Sequence, residues 1–208
     1  MEMLTAIPMN HDYTEEYANY YHHEMLKIFE TRPWIWGTHV WNCFDFAADA
    51  RDEGGIKGRN KKGLITYDRK VKKDAFYIYK AYWNPEPMVY IASRRFVDRA
   101  PEERNVIVYT NCDSVTLFVN GAEYETKAAA GHAVVFEDVK LMDGENTITA
   151  KAGNLEDTIL LNGVKEHNAD YTLPDIAAAM QVGNWFDGIA DTGESEEIEI
   201  IEGYYSNK

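Results

Sequence analysis

The chain has 208 residues, 45% of them hydrophobic and 27% charged, which is enough to bury a core and unlike a chain disordered throughout. Its formal net charge is −14, from 21 Lys and Arg against 35 Asp and Glu, so a general phosphate-neutralising nucleic-acid surface is excluded. No apolar run approaches the roughly 20 residues of a membrane span, and no membrane partner is expected.

Asp12 and Glu15 have the spacing of a capping box and predict a helix through about Glu30, with Tyr17, Tyr21, Met25 and Ile28 as its apolar stripe. Arg32-Pro33 ends it, since proline disfavours helical geometry in the residue before it. Trp34 to Trp41 is a compact aromatic and β-branched run, read as a strand covered on both faces, with the preceding helix as its crossover. A long loop runs from Asn42 to Gly63, and loops of that length inside compact domains are usually functional. Between Arg51 and Lys73 stand nine cations against three anions, a local reversal of the overall charge. Leu64 to Tyr67 reads as extended and Asp74 to Trp83 as a short helix, closed by Pro85 and Pro87.

From Met88 the period changes to that of strands. Val106–Tyr109, Val115–Val119, Ala133–Glu137, Thr147–Lys151 and Thr158–Leu161 are short strands, with turns at Asn120-Gly121, Asp143-Gly144 and Gly153-Asn154. This spacing predicts a β-sandwich of immunoglobulin-like type over about 88–164. Residues 165–208 form an acidic tail, with ten acids and one lysine after Lys165, and with apolar islands at Asn184-Trp185-Phe186 and Tyr204-Tyr205.

Two cysteines, Cys43 and Cys112, make no disulfide framework, and Cys43 reads as a buried thiol. A reducing compartment fits, no leader pattern is visible, and a cytoplasmic location is expected. Aromatic residues are abundant at 13%, the side chains that line sugar-sized clefts. Of the three tryptophans in the run, Trp34 and Trp36 read as core. Trp41, leading into the long loop, is a candidate ligand wall. Arg59-Asn60-Lys61-Lys62-Gly63 puts an ammonium and an amide two residues apart, able to reach an anion or several hydroxyls, although basic clusters are usually solvated surface. No phosphate loop, no zinc ligand spacing and no nucleophile elbow occurs, so no cofactor or metal is expected. Asp45, Asp49, Asp52 and Glu53 lie near the expected cleft, but their spacing singles out no carboxylate pair.

Asp12 to Tyr17, Arg32 to Phe46, Asp49 to Gly55, Gly63 to Lys70 and Lys73 to Tyr77 together resemble glycoside hydrolase family 2. They look like the last barrel strand and helix of the family's bacterial β-galactosidases, with residues 88–164 like the immunoglobulin-like domain after the barrel. The fold class implied is α+β: residues 1–87 as the C-terminal fragment of a (β/α)8 barrel, 88–164 as the sandwich, and 165–208 as a tail or connecting segment. The resemblance implies a retaining exo-glycosidase acting on terminal β-D-galactosides, whose two catalytic glutamates lie on earlier strands. Glu2, followed by Met3 and Leu4, does not match the nucleophile context, so the chain alone is expected to be inactive. Trp41 matches the family's pocket tryptophan. Asn60 and Lys62 match the Asn-x-Lys pair by which β-glucuronidases of the family hold the sugar carboxylate, which gives the alternative of a β-glucuronide substrate. A non-catalytic carbohydrate-binding or structural module is a further alternative. Lys62 also stands where an asparagine ligates sodium in large β-galactosidases, and its ammonium is expected to take that cation's place. A barrel strand without neighbours predicts homo-oligomers through exposed edges.

Overall fold

In the computed structural model the described residues are 14–49, 56 and 58–171. Two helices open the fold, α1 (Glu15–Glu30) and α2 (Asp74–Trp83), the second with the bounds expected from sequence. Thr14 caps α1, its Oγ1 accepting the Tyr17 N–H at 3.2 Å, while Glu15 and Glu16 favour the positive end of the helix dipole. Asp12 of the expected capping box lies outside the described residues.

The face of α1 that is buried differs from the expected stripe. Tyr21 and Ile28 are exposed, whereas Glu15, Asn19, His22 and Leu26 are buried. The reason is bonding to distant partners. Glu15 pairs with Arg95, Asn19 donates to Asp74 Oδ2 at 3.4 Å, and His22 Nδ1 lies 2.9 Å from the Tyr79 hydroxyl. Polar groups with such partners can be buried without the usual penalty.

Residues 34–41 do not form the strand expected of them. Trp34, Trp36 and Trp41 are 74%, 98% and 69% exposed, and the segment is irregular. A strand needs a neighbour to take its backbone bonds, and among the described residues none runs beside 34–41. Pairing begins just after it. The Leu64 N–H donates to Asn42 O at 3.0 Å, Ile65 N–H to Cys43 O at 2.9 Å, and Asp45 N–H to Ile65 O at 2.9 Å. Two short strands, β1 (Phe46–Ala47) and β2 (Arg59–Asn60), extend this contact. Cys43, expected inside, is exposed because only its backbone takes part. Residues 64–67 are extended only as far as Ile65, which bridges Phe44 and Lys72; Thr66 then opens a turn with Arg69 at φ 67°.

The remaining strands are β3 (Val89–Ile91), β4 (Asp98–Arg99), β5 (Val106–Thr110), β6 (Ser114–Val119), β7 (Ala122–Ala128), β8 (Ala133–Phe136), β9 (Gly144–Ala152) and β10 (Leu155–Gly163). They form a β-sandwich of two sheets, ordered β4-β10-β9-β6-β7 and β3-β5-β8, antiparallel except where β4 joins β10. Asn120 and Gly121, at φ 52° and 80°, close the β6–β7 hairpin as a two-residue turn that needs both residues left-handed. Gly153-Asn154 joins β9 to β10, there with Gly153 left-handed at φ 59°. Val115, Leu117, Ile148 and Leu161 from one sheet meet Val108 and Phe136 from the other. The small sheet is covered on its second face as well: Ile107 and Tyr109 of β5 point to the helices and pack with Leu26, Ile78 and Tyr79. This double burial explains the unbroken apolar run of β5.

A buried charge cluster locks the helices to the sandwich. Arg95 binds both Glu15, through Nε at 2.6 Å and a second contact, and Asp74 at 3.0 Å. Asp74 also accepts the Tyr90 hydroxyl at 2.7 Å and the Ser93 N–H, while the Asp74 N–H donates to Glu15 at 2.9 Å. Burial, then the neighbouring Glu15 carboxylate, pushes Asp74 up to about 6, against the opposing pull of Arg95. Beyond β10, Tyr171 packs edge-on against Phe96. The apolar islands expected further along the tail lie outside the described residues.

Candidate functional site

A cavity of about 430 Å³ opens between the N-terminal half of α1 and the near ends of two paired segments, at Trp41 and at residues 61–63. Tyr17, Tyr21 and His22 form its helix side; Trp41, Lys61, Lys62, Gly63 and Lys73 form the other. Of the three residues expected from sequence, Trp41 and Lys62 therefore line one cavity. Trp41 is held edge-on by Phe46, with ring centroids 6.1 Å apart at 86°, and keeps most of its surface open. Its peptide bond to Asn42 is cis. Lys62 is exposed. Asn60 is not on the cavity wall. It is buried on β2, and its Oδ1 accepts the Lys62 N–H at 3.0 Å, the geometry of an Asx turn that sets the direction of the next two residues.

Two further groups were not singled out by sequence. Lys73, just before α2, is 4% exposed, and its ammonium donates to Asp45 Oδ1 and to Lys61 O, both at 2.8 Å. Asp45 is 1% exposed and also accepts the Gly63 N–H at 2.9 Å. Gly63 has no room for a side chain, since a Cβ there would lie 2.1 Å from Asp45 N. The available signal was an acid set between two aromatics, Phe44-Asp45-Phe46, which is hard to bury without a cation. Burial, with Lys73 as a secondary cause, lowers His22 to about 4, so the imidazole facing this cavity is neutral at physiological pH.

Among the described residues, the carboxylates at this site are engaged. Glu15, which touches the cavity, is held by Arg95; Asp45 is held by Lys73. Glu15 and Asp74 are near each other, but both are almost wholly buried under the joint and share one guanidinium, so neither is presented to a substrate. Among the described residues no group of three or more His, Cys, Asp or Glu is arranged to hold a metal ion. Nor is any helix among them long and apolar enough to cross a membrane. A second cavity of about 300 Å³ lies on the other side of α1, where Tyr20, Phe96, Tyr109, Arg99 and Glu103 are among its lining residues.

Comparison with known proteins gives this arrangement a context. Residues 102–156 match a family model described as a domain of unknown function, DUF4982. A β-glucuronidase of Bacteroides fragilis is 49% identical over 136 residues, covering 64% of this chain and 20% of that protein. The crystal structure of an FMN-binding β-glucuronidase from Facaelibacterium prausnitzii L2-6 superposes with a TM-score of 0.79 at 50% identity, covering 84% of this chain and 27% of the other. That of a putative β-galactosidase from Bacteroides fragilis gives 0.70 at 33% identity, over 81% and 25%. The relatives are glycosidases. This chain spans about a fifth to a quarter of their length.

Proposed function

We propose that this chain is the C-terminal part of a family 2 glycoside hydrolase and that its 430 Å³ cavity is part of the wall of a pocket for a terminal sugar. In this reading residues 1–87 complete a (β/α)8 barrel, 88–164 are an immunoglobulin-like sandwich, and 165–208 are a connecting segment. The exposed Trp34 and Trp36 support it, since large apolar rings left open on one segment are what the neighbouring strands and helices of a barrel would cover.

The substrate class favoured is the β-glucuronides. One observation carries this: an open tryptophan ring and an exposed lysine line the same cavity, with the backbone of that lysine fixed by Asn60. The indole face suits the C–H face of a pyranose, and the Lys62 ammonium suits a sugar carboxylate, because a charge-assisted bond is stronger than a neutral one. Lys61 adds positive charge in a chain that is acidic overall, whereas the charge of Lys73 is balanced by Asp45. The B. fragilis and F. prausnitzii β-glucuronidases, at about half identity, support the same choice. β-Galactosides are the second reading, supported by the putative β-galactosidase; there Lys62 would serve hydroxyls rather than a carboxylate. Retaining hydrolysis needs two free carboxyls about 5–5.5 Å apart. With Glu15 and Asp45 both engaged in ion pairs, that chemistry is assigned to other parts of the protein.

Titration of the ¹⁵N-labelled chain with D-glucuronate and with D-galactose tests the reading. Glucuronate is expected to shift the Trp41 indole and Lys62 amide signals at lower concentration than galactose, and Lys62→Ala to abolish the difference. Equal response to both sugars would favour the galactoside reading. Turnover of p-nitrophenyl β-D-glucuronide by the purified chain would overturn the placement of the reactive carboxylates outside it.

FMN is a further candidate ligand, by the name of the F. prausnitzii relative. Tyr20, the open ring at the second cavity, suits one face of a flavin, whereas Phe96 and Tyr109 are each 2% exposed and Glu16, Glu102 and Glu103 oppose a phosphate. Quenching of FMN fluorescence by the purified chain is the expected signature.

A further inference from the structure

We propose that Lys73, together with Asp45, is a positioning device for the Trp41–Lys62 wall. The inference rests on the reading of that cavity as a sugar pocket. Trp41 and Lys62 come from segments about twenty residues apart in sequence, so their relative placement depends on what ties the segments together. The backbone ladder between them is short: Asn42 N–H to Lys62 O is long, at 3.4 Å, and the good bonds begin at Leu64 N–H to Asn42 O. At the cavity end the tie is made by side chains. The Lys73 ammonium holds Asp45 Oδ1, which belongs to the Trp41 segment, and Lys61 O, which belongs to the Lys62 segment. Asp45 Oδ1 in turn takes the Gly63 N–H, immediately after Lys62. Gly63 backs directly onto the Asp45 and Phe44 backbone, so the two segments cannot slide without breaking this ion pair. The pair is almost fully buried, and losing either charge strands the other, so the arrangement has one low-energy state rather than several.

Lys73 therefore acts on the sugar through Lys62, although it also lines the cavity. A thermodynamic cycle separates positioning from direct contact. D-glucuronate affinity is measured by NMR titration for the wild-type chain, Lys73→Met, Lys62→Ala and the double variant, and amide hydrogen exchange is followed at Gly63, Leu117 and Ile148. Lys73→Met is expected to weaken glucuronate binding about tenfold and to have little further effect once Lys62 is alanine. Exchange at Gly63 is expected to quicken about tenfold or more while Leu117 and Ile148 in the sandwich keep their protection. Asp45→Asn keeps the hydrogen-bonding shape without the charge and is expected to move the same readouts by a smaller factor, which preserves the test if Lys73→Met folds poorly. An undiminished loss in the Lys62→Ala background would mean that Lys73 touches the ligand directly, and would overturn the proposal. Unchanged exchange at Gly63, or loss of protection throughout, would overturn it too. Should the wild-type chain bind neither sugar while Gly63 alone loosens in Lys73→Met, the sugar-pocket reading fails and the tie between the segments stands.

Discussion

The sandwich and the helical part solve the same problem in opposite ways. The sandwich satisfies its backbone within its own sheets and buries its own apolar faces, with Leu117, Ile148 and Phe136 inaccessible to solvent. The part before it leaves three tryptophans open and depends on a neighbour for its order. Its two helices are fixed by packing on the outer face of the small sheet and by one guanidinium, Arg95, delivered from the sandwich side. A domain that is closed can tolerate local damage elsewhere; a piece that leans on it should detach when the point of contact is lost.

The largest effect should come from that point. Arg95→Met leaves Glu15 and Asp74 facing each other without a cation, a loss on the order of 3–5 kcal/mol for a buried pair. Denaturant unfolding followed by hydrogen exchange should show α1 and α2 freed while β6 and β9 remain protected. The contrasting change is Leu117→Ala, in the middle of the sandwich core, expected to cost about 3 kcal/mol and to lower protection in both parts together. If Arg95→Met unfolds everything at one midpoint, the two parts are one cooperative unit and the contrast drawn between them is wrong.

A smaller, pH-dependent effect sharpens the same point. Asp74 has a folded pKa raised from 3.8 to about 6, chiefly by burial. A carboxyl shifted upward binds its proton more tightly when folded. Its stabilising contribution is therefore complete below about pH 4 and is lost as pH rises to about 6. The difference in unfolding free energy between wild type and Asp74→Asn should decline over that window and level off above it. A difference that instead grows with pH would mean that Arg95 outweighs burial at this site.

How much of this was legible in the sequence depends on how local each interaction is. The Asn120-Gly121 hairpin and the helix from Asp74 to Trp83 were readable because a turn type and a short apolar face are encoded within a few residues. The buried face of α1 was not, because Glu15, Asn19 and His22 become buriable only through Arg95, Asp74 and Tyr79, 55 to 80 positions away. At the cavity the same divide holds. Trp41 and Lys62 are suggested by side-chain chemistry together with the resemblance to a glycosidase family, whereas Lys73 is one of nine cations in its stretch until Asp45 is found beside it. Asn60, expected as part of a clamp, has its carbonyl oxygen on a backbone N–H two residues on, a contact that the Asn-x-Lys spacing permits but does not announce.

The smallest effect on stability, and the one that most directly separates the two regions, is expected at Trp34 and Trp36. Large aromatics normally anchor a core, and replacing one costs several kcal/mol. Here both are mostly exposed, so the double change to serine should shift unfolding by no more than about 0.5 kcal/mol. Their surface is nonetheless the kind that drives association, and among the described residues no strand runs beside the irregular segment that carries them. Light scattering at rising concentration should therefore show self-association of the wild-type chain and a monomer for the Trp34→Ser/Trp36→Ser variant. A large loss of stability without change in association would mean that these rings pack inward, and that the helical part is more nearly closed than its exposed tryptophans indicate.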